Sequence, residues 1–400
     1  SSGVNLENKA SLTRSWDIHA ERVVGCTDCH YSLNNPIYYQ EDNASQPGHL
    51  TFDPRRIDLG EYLYRPLHQF AKGQSSQNTL ASQFDNSLRR CESCHSMAEP
   101  NTGLPYKERP PAVLSGETCH TPHMYSPARQ TTDWTVLRAD GTPQGICRGV
   151  EGDGTTFSNV LVTGFQPVLL PRLDGDGTTS LAPHNLVSSW YWVYGEPARP
   201  VPYAKLQAAW LEGDNQYAAE VLAAFDENGD GRLDNSELII NNDTKESLIN
   251  GRLQAQGLTN PRIVGEVQPY NINHNVTHGE WATKNCADCH SNQSRITQPM
   301  LLANQIPGGV LPTFFGSSAT IINGELTTND AGQLYYQPLT DSSDPNVASL
   351  YILGHDSVTW VDWLGALIFL GTLLGVVAHG GQRVGHRLRD GDRGDGEARQ

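Results

Sequence analysis

Three copies of one five-residue pattern constrain this chain more than any other feature. They read Cys26-Thr-Asp-Cys29-His30, Cys91-Glu-Ser-Cys94-His95 and Cys286-Ala-Asp-Cys289-His290. Two thiols three positions apart, followed directly by an imidazole, have the spacing of covalent haem attachment. The thiols reach the two porphyrin vinyl groups, and the histidine is directed at the iron. A zinc site would group such pairs in fours, whereas these lie roughly 60 and 190 residues apart. A redox dithiol would occur once, in a βαβ setting. Composition fits a chain arranged around bulky apolar groups, with 38 Gly, 24 Pro and only 37% hydrophobic residues. The expected fold is mainly α with much irregular structure.

Two cysteines remain. Cys119 lies in Gly116-Glu-Thr-Cys119-His120-Thr-Pro-His123, a fourth motif with Gly in place of the first Cys. One thioether plus the His120–iron bond would hold a fourth haem. The alternative is a lost site, with Cys119 free or paired with Cys147. Of the 14 histidines, four are proximal candidates: His30, His95, His120 and His290. Candidates for the distal position are His19, His49, His68, His123, His184, His274 and His278. His274 and His278 stand four apart and, on a helix, would share one face.

The motifs Gly-Cys-Thr-Asp-Cys-His and Arg-Cys-Glu-Ser-Cys-His resemble those of multihaem c-type cytochromes, over about residues 15–125 and 270–295. The resemblance implies closely stacked haems and bis-histidine ligation. Gly116 departs from the pattern.

A second metal signal lies in the middle of the chain. Asp226-Glu-Asn228-Gly-Asp230-Gly-Arg232-Leu-Asp234-Asn-Ser-Glu237 matches a calcium-binding EF-hand loop at each ligand position, Arg232 contributing its backbone carbonyl. Helices are expected from Tyr217 to Phe225 and from Ser236 to Leu253. Outside the cytoplasm, such a loop would serve structure rather than sensing. Gly152-Asp-Gly-Thr-Thr and Gly175-Asp-Gly-Thr-Thr lack the closing Glu and read as hairpin turns around Val160-Leu-Val and Val168-Leu-Leu. Trp190-Tyr-Trp-Val-Tyr is read either as a haem-facing surface or as packed core.

Val358 to Ala378 is almost wholly apolar over 21 residues, about the length needed to cross a bilayer as a helix. Asp362 sits between Trp360 and Trp363, as in an interfacial belt, and Gly371 and Gly375 form Gly-x-x-x-Gly. Arg383, Arg387, Arg389 and Arg393 follow, which places the C-terminus in the cytoplasm and the large N-terminal part outside. The expected organisation is a multihaem domain (1–140), a β-hairpin and aromatic-rich segment (141–210), an EF-hand module (211–265), a second haem segment (266–300), a connector (301–356), a membrane helix (357–379) and a basic tail (380–400).

The formal net charge of −16 argues against nucleic acid as a partner. It suits docking of a soluble basic redox protein, while the anchor suggests exchange with a quinone or a membrane cytochrome b. The expected function is electron transfer through three or four haems c, with calcium as a further ligand. The alternative is a reductase of a nitrogen or sulfur oxyanion, with an open-coordinate haem at Cys119 and His120.

Overall fold

The computed structural model describes residues 7, 17–22, 24, 91, 94–95, 113–152, 160–173, 177–213, 215–285, 288–289, 291, 294–315, 320–338 and 359–394. The chain divides into two compact units, Ser1–Ser349 and Leu350–Gln400.

In the first unit a single turn of helix, α1 (Ile18–Glu21), precedes the short helix α2 (Gly116–His120) that carries the irregular fourth motif. The chain then turns to strands: β1 (Ala128–Leu137), β2 (Pro143–Arg148), β3 (Val168–Leu173) and the 16-residue β4 (Thr179–Tyr194). β5 (Arg199–Pro200) leads to α3 (Tyr203–Trp210) and a tight pair, β6 (Leu211–Glu212) and β7 (Gln216–Tyr217). Next come α4 (Ala219–Phe225), α5 (Asp243–Ala255) and β8 (Arg262–Asn271). β9 (Met300–Ala303), β10 (Thr313–Phe314), β11 (Gly324–Thr328) and β12 (Leu334–Pro338) complete the unit's described elements.

The main sheet has seven strands. Its path runs β10-β8-β4-β1-β2, with β3 and β5 also paired to β4. It is mixed: β4 is antiparallel to β8 over His184–Val193 but parallel to β1 at Ser188–Trp190. Being central, β4 is buried on both faces, so its sequence shows no polar alternation. Val, Thr, Tyr and Trp at its length favour extended backbone. Trp190 and Trp192 are fully buried, and their indole N–H groups donate to the carbonyls of Val310 (2.8 Å) and Thr135 (3.0 Å). The aromatic run is therefore packed core.

α3, α4 and α5 join that same core through Leu206, Trp210, Val221, Phe225, Ile249 and Leu253. Trp210 and Phe225 meet edge-on at 4.9 Å. Lys245 is buried beside them, its ammonium 2.7 Å from Glu227 Oε1 and 4.9 Å from the Phe225 ring centre. β11, β12 and β9 form a separate antiparallel sheet, built from residues read in sequence as a connector except for Met300, the last residue of the second haem segment.

The expectation of a mainly α fold is overturned. About 29% of the described residues are helical and 31% lie in strands, with a mixed sheet at the centre. The reason is local: the fourth haem-type motif uses a helix of only five residues, while the β-branched and aromatic middle of the chain pairs into sheet. The expected hairpin around Val160 and Val168 is instead β3 with β4, from Val168↔His184 to Leu173↔Thr179. The helix expected from Ser236 begins at Asp243, where the Asn242 side chain caps it by accepting the Lys245 N–H at 3.0 Å.

In the second unit, α6 (Thr359–Gly394) is a continuous helix of 36 residues. Its Trp363–His386 stretch is long and apolar enough to cross a membrane, and Leu367, Ile368, Phe369 and Leu374 are exposed along it.

Candidate functional site

α2 is fixed from three sides. Ser115 N–H and the Thr118 hydroxyl both donate to Leu181 O, at 2.9 and 2.6 Å, tying the helix to the start of β4. Glu117 forms an ion pair with Arg172 of β3 at 3.3 Å, both side chains being almost fully buried. Arg295, 5% exposed, donates to Thr121 O at 3.1 Å and to Thr118 O. A turn this short has no cooperative stability of its own, so tertiary contacts must hold it.

That anchoring presents the Cys119–His120 pair. His120 Nδ1 is 2.7 Å from Thr277 O. A carbonyl only accepts, so Nδ1 carries the proton of this bond, and Nε2 is the nitrogen that a neutral ring would offer a metal. This is the tautomer and outer hydrogen bond typical of a metal-ligating imidazole. Thr277 N–H returns a bond to His120 O at 2.8 Å, and Thr283 N–H donates to Cys119 O at 2.9 Å.

Other motifs converge on α2. A Cβ placed on Gly116 would lie 3.6 Å from Cys91 Sγ, so the second motif packs against the position where the fourth lacks its first cysteine. The Cys119 thiol lies near Cys289 of the third motif and near Arg295. Burial first, then Cys289, pushes the thiol pKa of Cys119 up, while Arg295 pulls it back. In the second motif, the amides of Cys94 and His95 both donate to Cys91 O, at 3.1 and 2.8 Å, closing the turn.

His19 meets this region through Asp17. The Asp17 carboxylate caps α1 by accepting from the amides of His19 (2.9 Å) and Ala20 (3.2 Å), and its second oxygen accepts from Val276 N–H at 3.2 Å. Ile18 N–H donates to Val276 O at 3.0 Å. Val276 is next to Thr277, so one strap, residues 275–277, holds both His19 and His120. The His19 and His95 ring centres are 5.9 Å apart. The rings are tilted by 50° and lie close enough for both imidazoles to reach one metal, so His95 and His19 would be the residues to hold it.

The remaining candidates divide. His184 is fully buried in β4, its Nδ1 donating to Ala182 O at 2.8 Å and its Nε2 3.4 Å from Thr320 Oγ1. His123 sits beside Tyr125 (4.3 Å between ring centres), its Nε2 3.3 Å from Thr163 O. His274 and His278 are exposed and not helical; Asn275 between them has φ 63°, so they share no helix face. Cys26, Cys29, His30, His49, His68, Cys286 and His290 lie outside the described residues. Cys119 and Cys147 are both free thiols, not paired with each other.

In the acidic loop, the carboxylates turn onto backbone amides. Asp226 accepts from Gly229, Asp230 and Gly231, and Glu237 accepts from Glu227, Asn228 and Asp234. Asn228 and Asp230 side chains accept from Asp230 and Arg232 amides, and Asp234 from Ser236. Among the described residues no three His, Cys, Asp or Glu side chains gather as a metal site.

Sequence reading missed the supporting residues: Asp17, Arg172, Thr277 and Arg295 act from far along the chain, and no local pattern marks them.

No family model and no curated protein matches the chain. Among solved structures, an octahaem cytochrome c from Shewanella oneidensis is similar at 18% identity and a TM-score of 0.30, over 51% of this chain and 49% of that one. The chain spans about half the length of that protein, and so low a score does not carry its fold across.

Proposed function

We propose that this chain is a membrane-anchored electron carrier with covalently attached haems c, three on the complete motifs and a fourth on Cys119 and His120. The observation that carries the reading is the meeting of Cys91, Cys119 and Cys289 around α2, with His120 held in the ligating tautomer. Haem supplies an iron that gains and loses one electron. The chain's part is to hold the rings close together and set their potentials through ligands and burial. His95 is paired with His19; His184, committed to its sheet contacts, is left out of the ligand set.

α6 anchors the protein beside a quinone or cytochrome b partner, with the arginine-rich end inside and the haem-bearing part outside. The acidic surface docks a basic soluble acceptor. Calcium in the Asp226–Glu237 loop would draw on the carboxylates of Asp226, Asp230, Asp234 and Glu237, the Asn228 amide oxygen and the Arg232 carbonyl, a hard oxygen set of suitable chemistry.

Intact-mass measurement on detergent-purified protein tests the central reading. Four haem masses are expected, and Cys119→Ala should remove one. An unchanged mass in that variant would refute the fourth site. The second reading, reduction of a nitrogen or sulfur oxyanion at an open-coordinate haem on Cys119 and His120, is favoured by one observation: a cavity of about 300 Å³ lined by Arg148 and Arg295 has no carboxylate in its lining among the described residues.

A further inference from the structure

Arg295 stands where two of the haem-type motifs meet. Its side chain is buried, and it donates to Thr121 O at 3.1 Å and to Thr118 O, the carbonyls on either side of Cys119 and His120. Its guanidinium also hydrogen-bonds to Cys289, and its charge acts on Cys119. One cation therefore touches both the second cysteine of the third motif and the helix of the fourth, which are far apart in the chain.

What faces this cation is neutral. Carbonyls carry no net charge, and a cysteine that has added to a vinyl group is a thioether, which no longer ionises. Arg295 forms no ion pair among the described residues, and the carboxylate that acts on it belongs to exposed Asp288. Glu117, the buried carboxylate of α2, is taken by Arg172 at 3.3 Å. Burial draws the pKa of Arg295 down from its ordinary value, but a guanidinium keeps its proton in a protein. A buried charge without a counter-charge is costly, and such a departure from good packing practice is expected at a functional site.

We propose that Arg295 is the fixed positive charge that raises the reduction potential of the haems held at Cys289 and at Cys119 with His120. This deepens the electron-carrier reading and rests on it. Reduction converts Fe(III) to Fe(II) by adding one electron, so the reduced centre carries one positive charge fewer. A neighbouring cation stabilises that reduced form relative to the oxidised one, and does so more strongly where water is excluded. Attachment places the Cys289 sulfur directly on the porphyrin's edge, so a guanidinium bonded to that sulfur lies close to the ring.

The test is spectroelectrochemical titration of the full-length, haem-loaded protein in detergent, with intact mass giving the haem count. Arg295→Gln is neutral and keeps N–H donors for the carbonyls. It should lower the reduced-to-oxidised ratio of two haems at least about tenfold at a given potential, a downward shift of about 59 mV, while the others titrate as in wild type. Arg295→Lys keeps the charge and should restore most of that shift. If the Gln variant loses haem, Arg295→Met, apolar and of similar length, is read in its place. Unchanged potentials in a fully loaded neutral variant would overturn the proposal. So would a Lys variant shifted as far as the neutral one, since both would then report lost contacts and not lost charge. Haem loss from both neutral variants would make Arg295 a structural clamp, which also overturns it. A wild-type mass without a haem on Cys119 would refute the fourth site alone; the Cys289 haem would still report the charge, with one shifted wave in place of two.

Discussion

The buried ion pair between Glu117 and Arg172 shows what one residue does for the fourth motif. Removing one partner leaves a charge without a counter-charge inside the protein, at a cost of about 3–5 kcal/mol, whereas replacing both with apolar residues of similar volume is often neutral. Glu117→Ala should therefore lower the melting temperature markedly and loosen α2, while Glu117→Leu with Arg172→Met should recover most of the loss. A double variant as unstable as the single one would show that the pair is not the tie we describe. Asp133 offers a pH signature. Buried in β1 and accepting from both the amide and the hydroxyl of Thr135, its carboxyl is raised by burial to about 7 from an ordinary 3.8. The folded state thus holds a proton that the unfolded chain releases. Stability contributed by this group is greatest below about pH 4, falls between pH 4 and 7, and is lost above. Asp133→Asn should flatten that slope and raise the melting temperature at pH 8 relative to wild type; thermal scans from pH 5 to 8 decide it. At this scale Cys91, Cys119, Cys289 and His120 could be singled out in the sequence by their spacing, and the structure gathers them around α2. Asp17, Arg172 and Arg295 could not, since each acts on a partner more than fifty residues away.

Among elements, α4 was readable from its apolar spacing, but β4 was not. A strand buried on both faces has no alternation to betray it, and its aromatic run reads equally well as any core. The chain's contact at Gly265 of β8 was equally hidden: a Cβ there would lie 2.6 Å from Trp190 Nε1 and about as close to Pro312. Gly265→Ala should cost about 1–3 kcal/mol by overpacking, measured by chemical denaturation, with haem content unchanged. A neutral effect would mean that β8 does not press on Trp190 as described. The acidic loop between α4 and α5 makes a separate prediction. Asp226→Ala with Glu237→Ala removes carboxylates that accept six backbone amides, so it should destabilise the loop with or without calcium. A chelator that lowers the wild-type melting temperature but leaves this variant unchanged would support a bound ion; a chelator without effect on the wild type would argue against one.

At the scale of the whole molecule, the proposed role rests on the net charge and on the apolar stretch of α6. With a net charge of −16, encounter with a basic redox protein should slow as salt rises, because exposed charges are screened beyond about 8 Å at physiological strength. Removal of residues 359–394 should release the remaining chain from detergent micelles, as expected if the apolar stretch of α6 is what holds it there. The proposed electron-carrier role requires each iron to be capped on both sides by histidine, and His19 with His95, whose ring centres are 5.9 Å apart, is the pair proposed for one of them. Carbon monoxide added to the fully reduced, full-length protein tests this most directly. The account predicts an almost unchanged absorption spectrum, and a His19→Ala variant that takes up one equivalent. Stoichiometric carbon monoxide binding by the wild-type protein, unaltered in that variant, would contradict it.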